Sequence, residues 1–376
     1  MTTPMKKIAH LTVKYLNFSE TFVYEQIRNM KTFEPVVFTL TTNKNIDKFP
    51  VKNLYSVSSL PSFRQKEESI RSIFGRSRYF KDLIKELDIK LIHAHFAYMG
   101  NYALQFKKYF NIPIITSLYG LDIYQLTKNP LYRLQLKRLF KHGDLFMGYS
   151  SVMRERAIEL GCPPEKVITF TAGIDLNKFR FKQRNPGSTI NFLYIGRLVE
   201  KKGVIYAVRA FAKSYLKHKN ISMTIIGDGP LYNEIDAEIK RLGMTDSIKM
   251  LGYVPDLAAE LDKADVFMSP SVVARSGDAE GGINVTVIEA LACGIPALVT
   301  RQTQSDLIFD GKTGFVARER DPDDLSRKMN TFIENPDLIQ KFGIMGREMV
   351  EKLDSKDQVA KLENIYKELI DKYERA

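Results

Sequence analysis

The sequence predicts an α/β protein built on two doubly wound parallel sheets, and three observations support that prediction. Short apolar runs alternate with longer helical patterns along almost the whole chain, as they do in strand–helix–strand units. Most of these runs are apolar on both faces, which is typical of parallel strands covered by helices. The chain of 376 residues is also long for one hydrophobic core, so two Rossmann-like domains of similar size are expected.

The apolar runs place strands in both halves of the chain. The predicted strands lie at residues 8–13, 35–40, 91–96, 113–118, 145–150, 167–170, 190–196, 222–228, 248–254, 266–271, 295–300 and 314–317. The polar stretch 180–189 is the predicted linker. We therefore expect an N-terminal domain at residues 1–183 and a second domain at residues 190–352, with a ligand cleft between them.

Positive charge is concentrated in the first half of the chain. Residues 1–180 hold 28 Lys/Arg against 15 Asp/Glu, whereas the remainder holds 28 against 29, so the first half carries the whole excess of +12. Basic and apolar residues are interleaved over residues 64–85 and 132–141. This pattern suits an anionic membrane surface, although a solvated basic face that keeps the protein soluble is an equally good interpretation. Nucleic acid is the less favoured anionic partner.

Other bulk properties narrow the class of protein. No apolar run approaches the roughly 18 residues that span a bilayer, and residues 1–7 lead into the first strand without a signal-peptide pattern. The two cysteines, Cys162 and Cys293, form neither a disulfide framework nor a metal-ligand pattern. We therefore expect a cytoplasmic protein.

Four motifs stand at the carboxyl ends of predicted strands, the edge at which open α/β sheets bind ligands. In chain order they are Gly196-Arg197…Lys202-Gly203, Gly227-Asp228-Gly229-Pro230, Gly252-Tyr253-Val254-Pro255 and Glu280-Gly281-Gly282…Glu289…Gly294-Ile295-Pro296. Taken singly, each is a weak signal. The cations of the first motif are also typical of a solvated surface, the second motif is typical of a tight strand-to-helix turn, and the third resembles many loops.

The fourth motif is the most informative. Glu289 falls inside an apolar helical stretch, and a buried carboxylate costs several kcal/mol unless it has a partner. The hydroxyls of a bound polyol would provide one. The helix that starts near Asn284 also presents unpaired backbone N–H groups to an anion, and Arg197 and Lys202 carry the positive charge suited to phosphate oxygens.

The four motifs, in this order, resemble those of the family 4 glycosyltransferases, which are retaining, nucleotide-sugar-dependent enzymes of GT-B fold. The segment 173–179 is similar to the family's entry into the second domain. The resemblance is dense in the C-terminal half and sparse in the N-terminal half. It implies that residues 353–376 form a helix that returns to the first domain.

The resemblance also implies roles for particular residues in binding the sugar nucleotide. Arg197 and Lys202 would hold the donor diphosphate, and Glu289 would accept hydrogen bonds from the ribose. Glu280 would hold the transferred sugar. The other donor-binding residues implied are Gly196, Gly227, Tyr253, Val254, Gly281, Gly282, Ile283, Asn284, Val285 and Thr286.

Two features depart from the family pattern. Eight residues lie between Glu280 and Glu289 where the family has seven, so either the glycine pair absorbs the extra residue or Glu280 is displaced. In the first domain Tyr119 stands where relatives commonly carry His in a His-Gly-x-Asp motif, and Asp122 is the matching acid. A phenol can exchange hydrogen bonds but does not normally titrate near neutrality. Tyr119 and Asp122 join Glu280, Arg197 and Lys202 as the predicted catalytic residues.

Weaker signals mark an acceptor side in the first domain. Ser19, Glu20 and Thr21 resemble an acceptor loop of exopolysaccharide-type members, although a helix N-cap by Ser19 explains them equally well. His95 lies near a strand end and is either a cleft residue or, as the preferred interpretation, a satisfied core histidine.

The predicted function is transfer of a hexose from a nucleotide-diphosphate sugar to a glycan or lipid-linked acceptor, with retention of configuration. No cofactor or metal is expected; Asp321 and Asp323 stand at a helix start and are interpreted as a cap. The basic domain would contact the inner face of the cell membrane. The alternatives are a GT-B sugar-nucleotide epimerase and a non-catalytic membrane- or nucleic-acid-binding module with a degenerate nucleotide pocket.

Overall fold

A computed structural model describes residues 4–16, 20–42, 46–73, 76–171, 173–303 and 306–375. The chain divides into two compact units. The first unit comprises Met1–Tyr149, Met153–Gly173 and Ser355–Ala376, and the second comprises Ser150–Val152 and Ile174–Asp354. Each unit is built around its own parallel sheet, so the predicted fold class is confirmed.

The first unit contains a seven-stranded sheet with the order β3-β2-β1-β4-β5-β6-β7. Neighbouring strands in this sheet are parallel, and His10 of β1 lies opposite His93 of β4. The strands are β1 (Lys7–Tyr15), β2 (Glu34–Thr42), β3 (Leu54–Ser56), β4 (Ile89–His95), β5 (Ile114–Leu118), β6 (Leu145–Gly148) and β7 (Val167–Thr169).

The second unit contains a six-stranded parallel sheet with the order β10-β9-β8-β11-β12-β13. In both sheets the order in which strands are added reverses beside the first strand, as it does in a Rossmann fold. The strands are β8 (Ile190–Ile195), β9 (Ile221–Ile226), β10 (Ile248–Gly252), β11 (Val266–Ser269), β12 (Ala297–Thr300) and β13 (Gly314–Ala317).

Helices connect these strands and cover the sheets. Their starts follow local chemistry: Asn129 caps α5 ahead of Pro130, and Asp321 caps α11 through the Asp324 N–H, as predicted. The helices are α1 (Thr21–Arg28), α2 (Ser62–Ile73), α3 (Tyr79–Glu86), α4 (Ala97–Lys107), α5 (Pro130–His142), α6 (Ser151–Glu159), α7 (Val204–Lys217), α8 (Tyr232–Arg241), α9 (Leu257–Asp262), α10 (Val285–Ala292), α11 (Pro322–Glu334), α12 (Asp337–Glu351) and α13 (Ser355–Arg375).

The chain enters the second unit earlier than the expected boundary at residue 183. Ile174 already bridges to Asp354, and Phe179 is buried in the apolar core of the second unit. The polar stretch 180–189 is also not a free linker. The Arg184 guanidinium is buried and donates to the carbonyls of Asp262, Ala264 and Cys293. These three hydrogen bonds come from the two terminal nitrogens, while Nε has no partner among the described residues. They anchor a segment whose composition is typical of a loop.

Of the thirteen strands in the described part of the chain, twelve lie where the apolar runs predict them, and β3 is not predicted by any of these runs. It has three residues and pairs only with β2 at the sheet edge, so it presents too short an apolar run to detect. The C-terminal helix α13 packs in the first unit, where Leu362, Tyr366 and Ile370 join a core cluster with strand residues. Across the described residues, no helix combines the length and apolarity needed to cross a membrane.

Candidate functional site

The carboxyl edge of the second sheet brings backbone segments unusually close together. Gly196 N–H donates to Ile226 O, and Gly227 N–H donates to Gly252 O at 2.8 Å. Gly227 has a φ of 140°, and a Cβ at this position would overlap the Gly196 carbonyl oxygen. Only glycine suits both constraints. The first three predicted donor motifs are therefore joined into one edge at the ends of β8, β9 and β10.

Lys202 lies at the centre of the predicted diphosphate site. Its Nζ is 2.9 Å from Glu280 Oε1 and donates to Asn284 Oδ1, also at 2.9 Å. Asn284 in turn donates from Nδ2 to Ser269 Oγ at 2.9 Å, at the end of β11. The structure thus brings together three residues that the sequence places in two separate motifs.

The Lys202–Glu280 pair is almost completely buried, and burial opposes both charges. Desolvation lowers the pKa of Lys202, an effect that the Glu280 carboxylate partly offsets. Desolvation would likewise raise the pKa of Glu280, but the positive charge of Lys202 and Lys201 outweighs it, so the pKa of Glu280 lies below its ordinary value. Glu280 is therefore held as a carboxylate beside a buried cation.

Gly281 and Gly282 form a turn directly after Glu280, whose side chain contacts Lys202. Gly281 has a φ of 72° and Gly282 a φ of 139°, so both adopt backbone conformations that other residues rarely adopt. The Gly281 carbonyl accepts a hydrogen bond from Ser150 Oγ at 2.7 Å. A Cβ on Gly282 would lie 2.5 Å from this Ser150 Oγ. The role of Glu280 in holding the sugar stays a prediction.

Glu289 is buried on α10, as its apolar surroundings predict. Its Oε2 has no hydrogen-bond partner among the described residues. Burial raises the pKa of Glu289 to about 7, because the nearby Lys178 offsets only part of the desolvation. An orphaned acceptor of this kind is rare in a folded protein and indicates a missing partner. Its predicted partner, a ribose, would satisfy it.

The remaining donor residues differ in exposure. The Arg197 side chain is exposed, and Tyr253 is 55% exposed beyond the end of β10. Val254 packs against the second unit's apolar core. Ile283 is half-buried, as are Val285 and Thr286 in the first turn of α10. Their assignments as donor contacts stay predictions.

Sequence reasoning missed several residues at this edge. Lys201 Nζ lies 3.1 Å from Asp278 Oδ1, which pairs the neighbouring lysine with a different carboxylate. Ser150 donates to the Gly281 carbonyl, and Ser269 Oγ accepts from Asn284. A serine at a strand end gives no pattern of its own, so no signal in the sequence pointed to these two.

In the first unit, His95 is buried at the end of β4 and makes hydrogen bonds from both ring nitrogens. His95 Nε2 lies 3.1 Å from His10 Nδ1, and His95 Nδ1 lies 3.0 Å from the Tyr119 hydroxyl. His93 is bonded to Tyr366 and to Ser117. His95 is thus the satisfied core histidine that the sequence favoured. The ligand atoms of His10, His93 and His95 lie within 4.8 Å of one another, which makes them a possible metal-binding group.

The structure describes Asp122 and part of the predicted acceptor loop. The Asp122 carboxylate is fully buried and accepts the backbone N–H of Tyr119 at 3.0 Å; burial raises its pKa to about 7. It therefore shapes the Tyr119 turn, and its catalytic role stays a prediction. Ser19 lies outside the described residues. Glu20 is the N-cap residue of α1, and Thr21 is its first residue.

Two family profiles match the chain. The profile described as "Glycosyltransferase Family 4" matches residues 19–178, and that described as "Glycosyl transferases group 1" matches residues 175–349. Together they span residues 19–349. A two-unit Rossmann-like protein with this edge belongs to the GT-B class, and within that class the chain belongs to the family 4 glycosyltransferases. The matches give no support to the epimerase or to the non-catalytic module.

Two of the curated relatives are named for the biosynthesis of a polysaccharide. The chain is 31% identical over 240 residues to the amylovoran biosynthesis glycosyltransferase AmsK of Erwinia amylovora, covering 62% of this chain and 58% of the relative. It is 32% identical over 223 residues to a Salmonella typhimurium protein provisionally assigned as the colanic acid biosynthesis glycosyltransferase WcaL, covering 58% and 55%. The chain thus spans little more than half the length of these relatives.

Solved structures share the fold at low sequence identity. A glycosyltransferase from Rickettsia africae superimposes with a TM-score of 0.80 at 17% identity, covering 98% of this chain and 99% of the other. Anabaena Alr3699/HepE, crystallised in complex with UDP and glucose, gives 0.78 at 15% identity, covering 96% and 100%. These similarities establish the GT-B fold.

Proposed function

We propose that the protein is a hexosyltransferase that moves a sugar from a nucleotide-diphosphate donor to a glycan or lipid-linked acceptor in polysaccharide assembly. Retention of configuration and independence from metal are parts of this proposal. The observation that carries it is the arrangement in the second unit, where a buried cation, a helix start and an orphaned carboxylate occupy one sheet edge.

The chemistry of that edge suits a sugar nucleotide. As the bond between sugar and diphosphate breaks, negative charge grows on the leaving phosphate. Lys202, Arg197 and the first N–H groups of α10 would stabilise that charge without reorganisation. Glu289 Oε2 would accept a ribose hydroxyl, which removes the cost of burying it unpaired. Relatives of this fold crystallised with UDP, such as HepE, make a uridine carrier the first donor to test.

The test of donor binding uses the whole chain and a set of nucleotides. Isothermal titration with UDP, GDP and ADP, followed by their glucose conjugates, should show saturable binding of at least one nucleoside diphosphate. The Glu289→Gln variant should bind about 10- to 100-fold more weakly, since a hydrogen bond to a charged group contributes roughly 1.5–3 kcal/mol. Absence of binding by every nucleotide and every sugar nucleotide would sink the proposal. Product NMR then reports the anomeric configuration.

The partner part of the proposal concerns α5 and an anionic membrane. Leu131 and Leu134 are 70% and 64% exposed on this helix, beside Arg133, Lys137 and Arg138. A groove of about 530 Å³ between α5 and α6 is lined by Leu134, by three basic residues and by one acidic residue, namely Arg133, Lys137, Arg156 and Glu159. Exposed leucines flanked by cations suit the headgroup region of an anionic leaflet. The protein would then act peripherally on the cytoplasmic face.

Vesicle sedimentation tests this surface. Wild-type protein should bind vesicles containing phosphatidylglycerol, bind pure phosphatidylcholine weakly, and lose binding as salt is added. Leu131→Ser/Leu134→Ser should weaken binding at least ~10-fold, since two exposed apolar side chains lose their lipid contact. Leu216→Ser is the matched control, because Leu216 is 74% exposed on α7 of the other unit. Equal loss in the control would remove α5 from the proposal.

A further inference from the structure

Three histidines lie on one face of the first sheet at the point where its strand order reverses. His10 is on β1, and His93 and His95 are on β4, the neighbour of β1. All three rings are buried, and none is exposed to solvent. Ligands of open α/β sheets bind outside the carboxyl ends of the strands at such a reversal. The positions of the protons on these rings decide which ring nitrogens donate hydrogen bonds and which accept them.

The hydrogen-bond partners fix those protons. Among the described residues, His10 Nε2 has no partner. A buried N–H without an acceptor is rarer and more costly than a bare lone pair, so His10 carries its proton on Nδ1. That N–H donates to His95 Nε2, 3.1 Å away. His95 must then carry its own proton on Nδ1, from which it donates to the Tyr119 oxygen at 3.0 Å.

The chain of hydrogen bonds continues to Tyr149. Because the Tyr119 oxygen accepts from His95, its O–H can donate, and the hydroxyls of Tyr149 and Ser117 are its hydrogen-bonding neighbours. The two phenol rings are 5.2 Å apart between centroids. Phe22 of α1, the helix that follows the predicted acceptor loop, packs 5.4 Å from Tyr119 and 5.2 Å from Tyr149. The series of donors thus ends beside the helix that follows the predicted acceptor loop.

A bound metal ion fits this cluster less well than hydrogen bonds do. His10 and His95 face each other with ring planes only 17° apart, so His10 Nδ1 and His95 Nε2 point at one another rather than at a common third position. The His93 and His95 rings are stacked, with centroids 4.5 Å apart, and both His93 nitrogens are engaged by Tyr366 and Ser117. Metal ligation requires in-plane lone pairs that converge on one ion.

We infer that His10 and His95 are positioning residues that orient the Tyr119 and Tyr149 hydroxyls for the acceptor side of the transfer reaction, through a one-directional series of hydrogen bonds between uncharged groups. This inference rests on the proposed function. It also gives the buried imidazole of His95 a role, because the Tyr119 hydroxyl is the group that the hydrogen bond from His95 orients.

The first experiment measures the protons directly and needs no substrate. The chain has five histidines, so selective ¹⁵N-histidine labelling gives a sparse spectrum of ring nitrogens. The expected result is the neutral Nδ1–H tautomer for both His10 and His95, each assigned from its His→Gln variant, with no change on adding one equivalent of Zn²⁺. An Nε2–H tautomer or a protonated ring at His95 would overturn the inference, as would a zinc-induced shift of all three rings.

The second experiment separates positioning from folding. In His95→Asn the amide replaces Nδ1 and can still donate to Tyr119, whereas in His95→Gln the amide replaces Nε2 and cannot. Turnover, measured as release of UDP from UDP-glucose with and without a lipid-extract acceptor, should fall at least ~10-fold in His95→Gln and in Tyr119→Phe, and recover largely in His95→Asn. The His95→Gln/Tyr119→Phe double variant should be no slower than either single variant, because both act through one hydroxyl.

Affinity for UDP serves as the folding control, because the proposed donor groups lie in the other unit. It should stay within about twofold of wild type in every variant. Additive losses of turnover in the double variant, or equal losses in His95→Asn and His95→Gln, would mean that the histidines have only a structural role. Either result would overturn the inference. Wild-type protein that binds no nucleotide would instead defeat the proposed function and the positioning role together, while the tautomers would still decide whether the hydrogen-bond series exists.

Discussion

Lys202 Nζ and Glu280 Oε1 lie 2.9 Å apart in a buried ion pair that joins two motifs separated by almost eighty residues. The pair has two consequences that mutation can separate. Lys202 is proposed to stabilise the leaving diphosphate, and it also neutralises a carboxylate that would otherwise be buried unpaired. Removing one partner of a buried pair commonly costs about 3–5 kcal/mol of stability.

A pair of variants distinguishes catalysis from stability at this site. Lys202→Met should lower kcat at least ~10²-fold, since it removes a cation acting on developing charge, and should also lower Tm by several degrees. Lys202→Met/Glu280→Gln should regain most of the Tm because no buried charge is left unpaired, yet stay slow. Lys201→Met is the matched control and should affect the rate less. Recovery of the rate in the double variant would remove Lys202 from the diphosphate site.

The sequence predicts the architecture well because the strands are buried on both faces and therefore form dense apolar runs. It also predicts the burial of Glu289, a single carboxylate in such a run. It fails where a polar residue is buried by contacts distant in sequence. Arg184 lies in a stretch with Asn, Pro and Gly and was assigned to a linker, although three carbonyls from 78 to 109 residues away hold it.

The site shows the same limit. The series from His10 through His95 to Tyr119 depends on the parallel pairing of β1 with β4 and of β4 with β5, and on no local motif. Spacing at i and i+2 places His93 and His95 on one face, but nothing in the sequence states that His10 shares it. Strand register therefore supplies the information that motif reading lacks.

Glu289→Gln should stabilise the free protein while it weakens nucleotide binding. Burial raises the pKa of Glu289 to about 7 from an ordinary 4.5, so between these pH values the folded state holds a proton that the unfolded chain has released. Stability therefore falls as pH rises from about 4.5 to 7, by up to roughly 3 kcal/mol. Glutamine avoids this loss. Calorimetric scans should show a higher Tm for the variant at pH 8 and little difference near pH 5.

Nucleotide affinity should have the opposite dependence on this residue. An ionised carboxylate accepts ribose hydrogen bonds more strongly than a neutral acid, so binding to wild type should strengthen from pH 6 to pH 8 more than binding to Glu289→Gln does. The phosphate groups of the nucleotide also titrate in this pH range, and the Glu289→Gln variant shows how much of the pH dependence comes from them. Identical pH profiles for the two proteins would show that Glu289 does not contact the ligand.

Gly227→Ala tests the close approach at the sheet edge. A Cβ at this position would overlap the Gly196 carbonyl, and the φ of 140° is itself unfavourable for alanine. We expect a loss of at least ~2 kcal/mol in the free energy of unfolding, with weaker nucleotide binding because the ends of β8 and β9 must separate. Gly243→Ala is the matched control. Its φ is 68°, but no atom lies within 4 Å of an added Cβ, so only the backbone cost of about 1 kcal/mol should appear in urea denaturation. Equal losses would mean that the strands move apart freely.

Arg184→Met tests the anchoring of the stretch 180–189 to the second unit. The guanidinium is buried and donates to three carbonyls, two of which, Asp262 O and Cys293 O, also accept from Lys182. Its removal takes a donor from each carbonyl and should lower the free energy of unfolding by about 1–3 kcal/mol. Arg184→Lys should recover only part of this, because a single ammonium cannot span all three carbonyls as the planar guanidinium does. Limited proteolysis followed by mass spectrometry should show faster cleavage within residues 180–189 in Arg184→Met, intermediate cleavage in Arg184→Lys, and slow cleavage in wild type. Rapid cleavage of the wild-type protein in this stretch would restore its interpretation as a free linker.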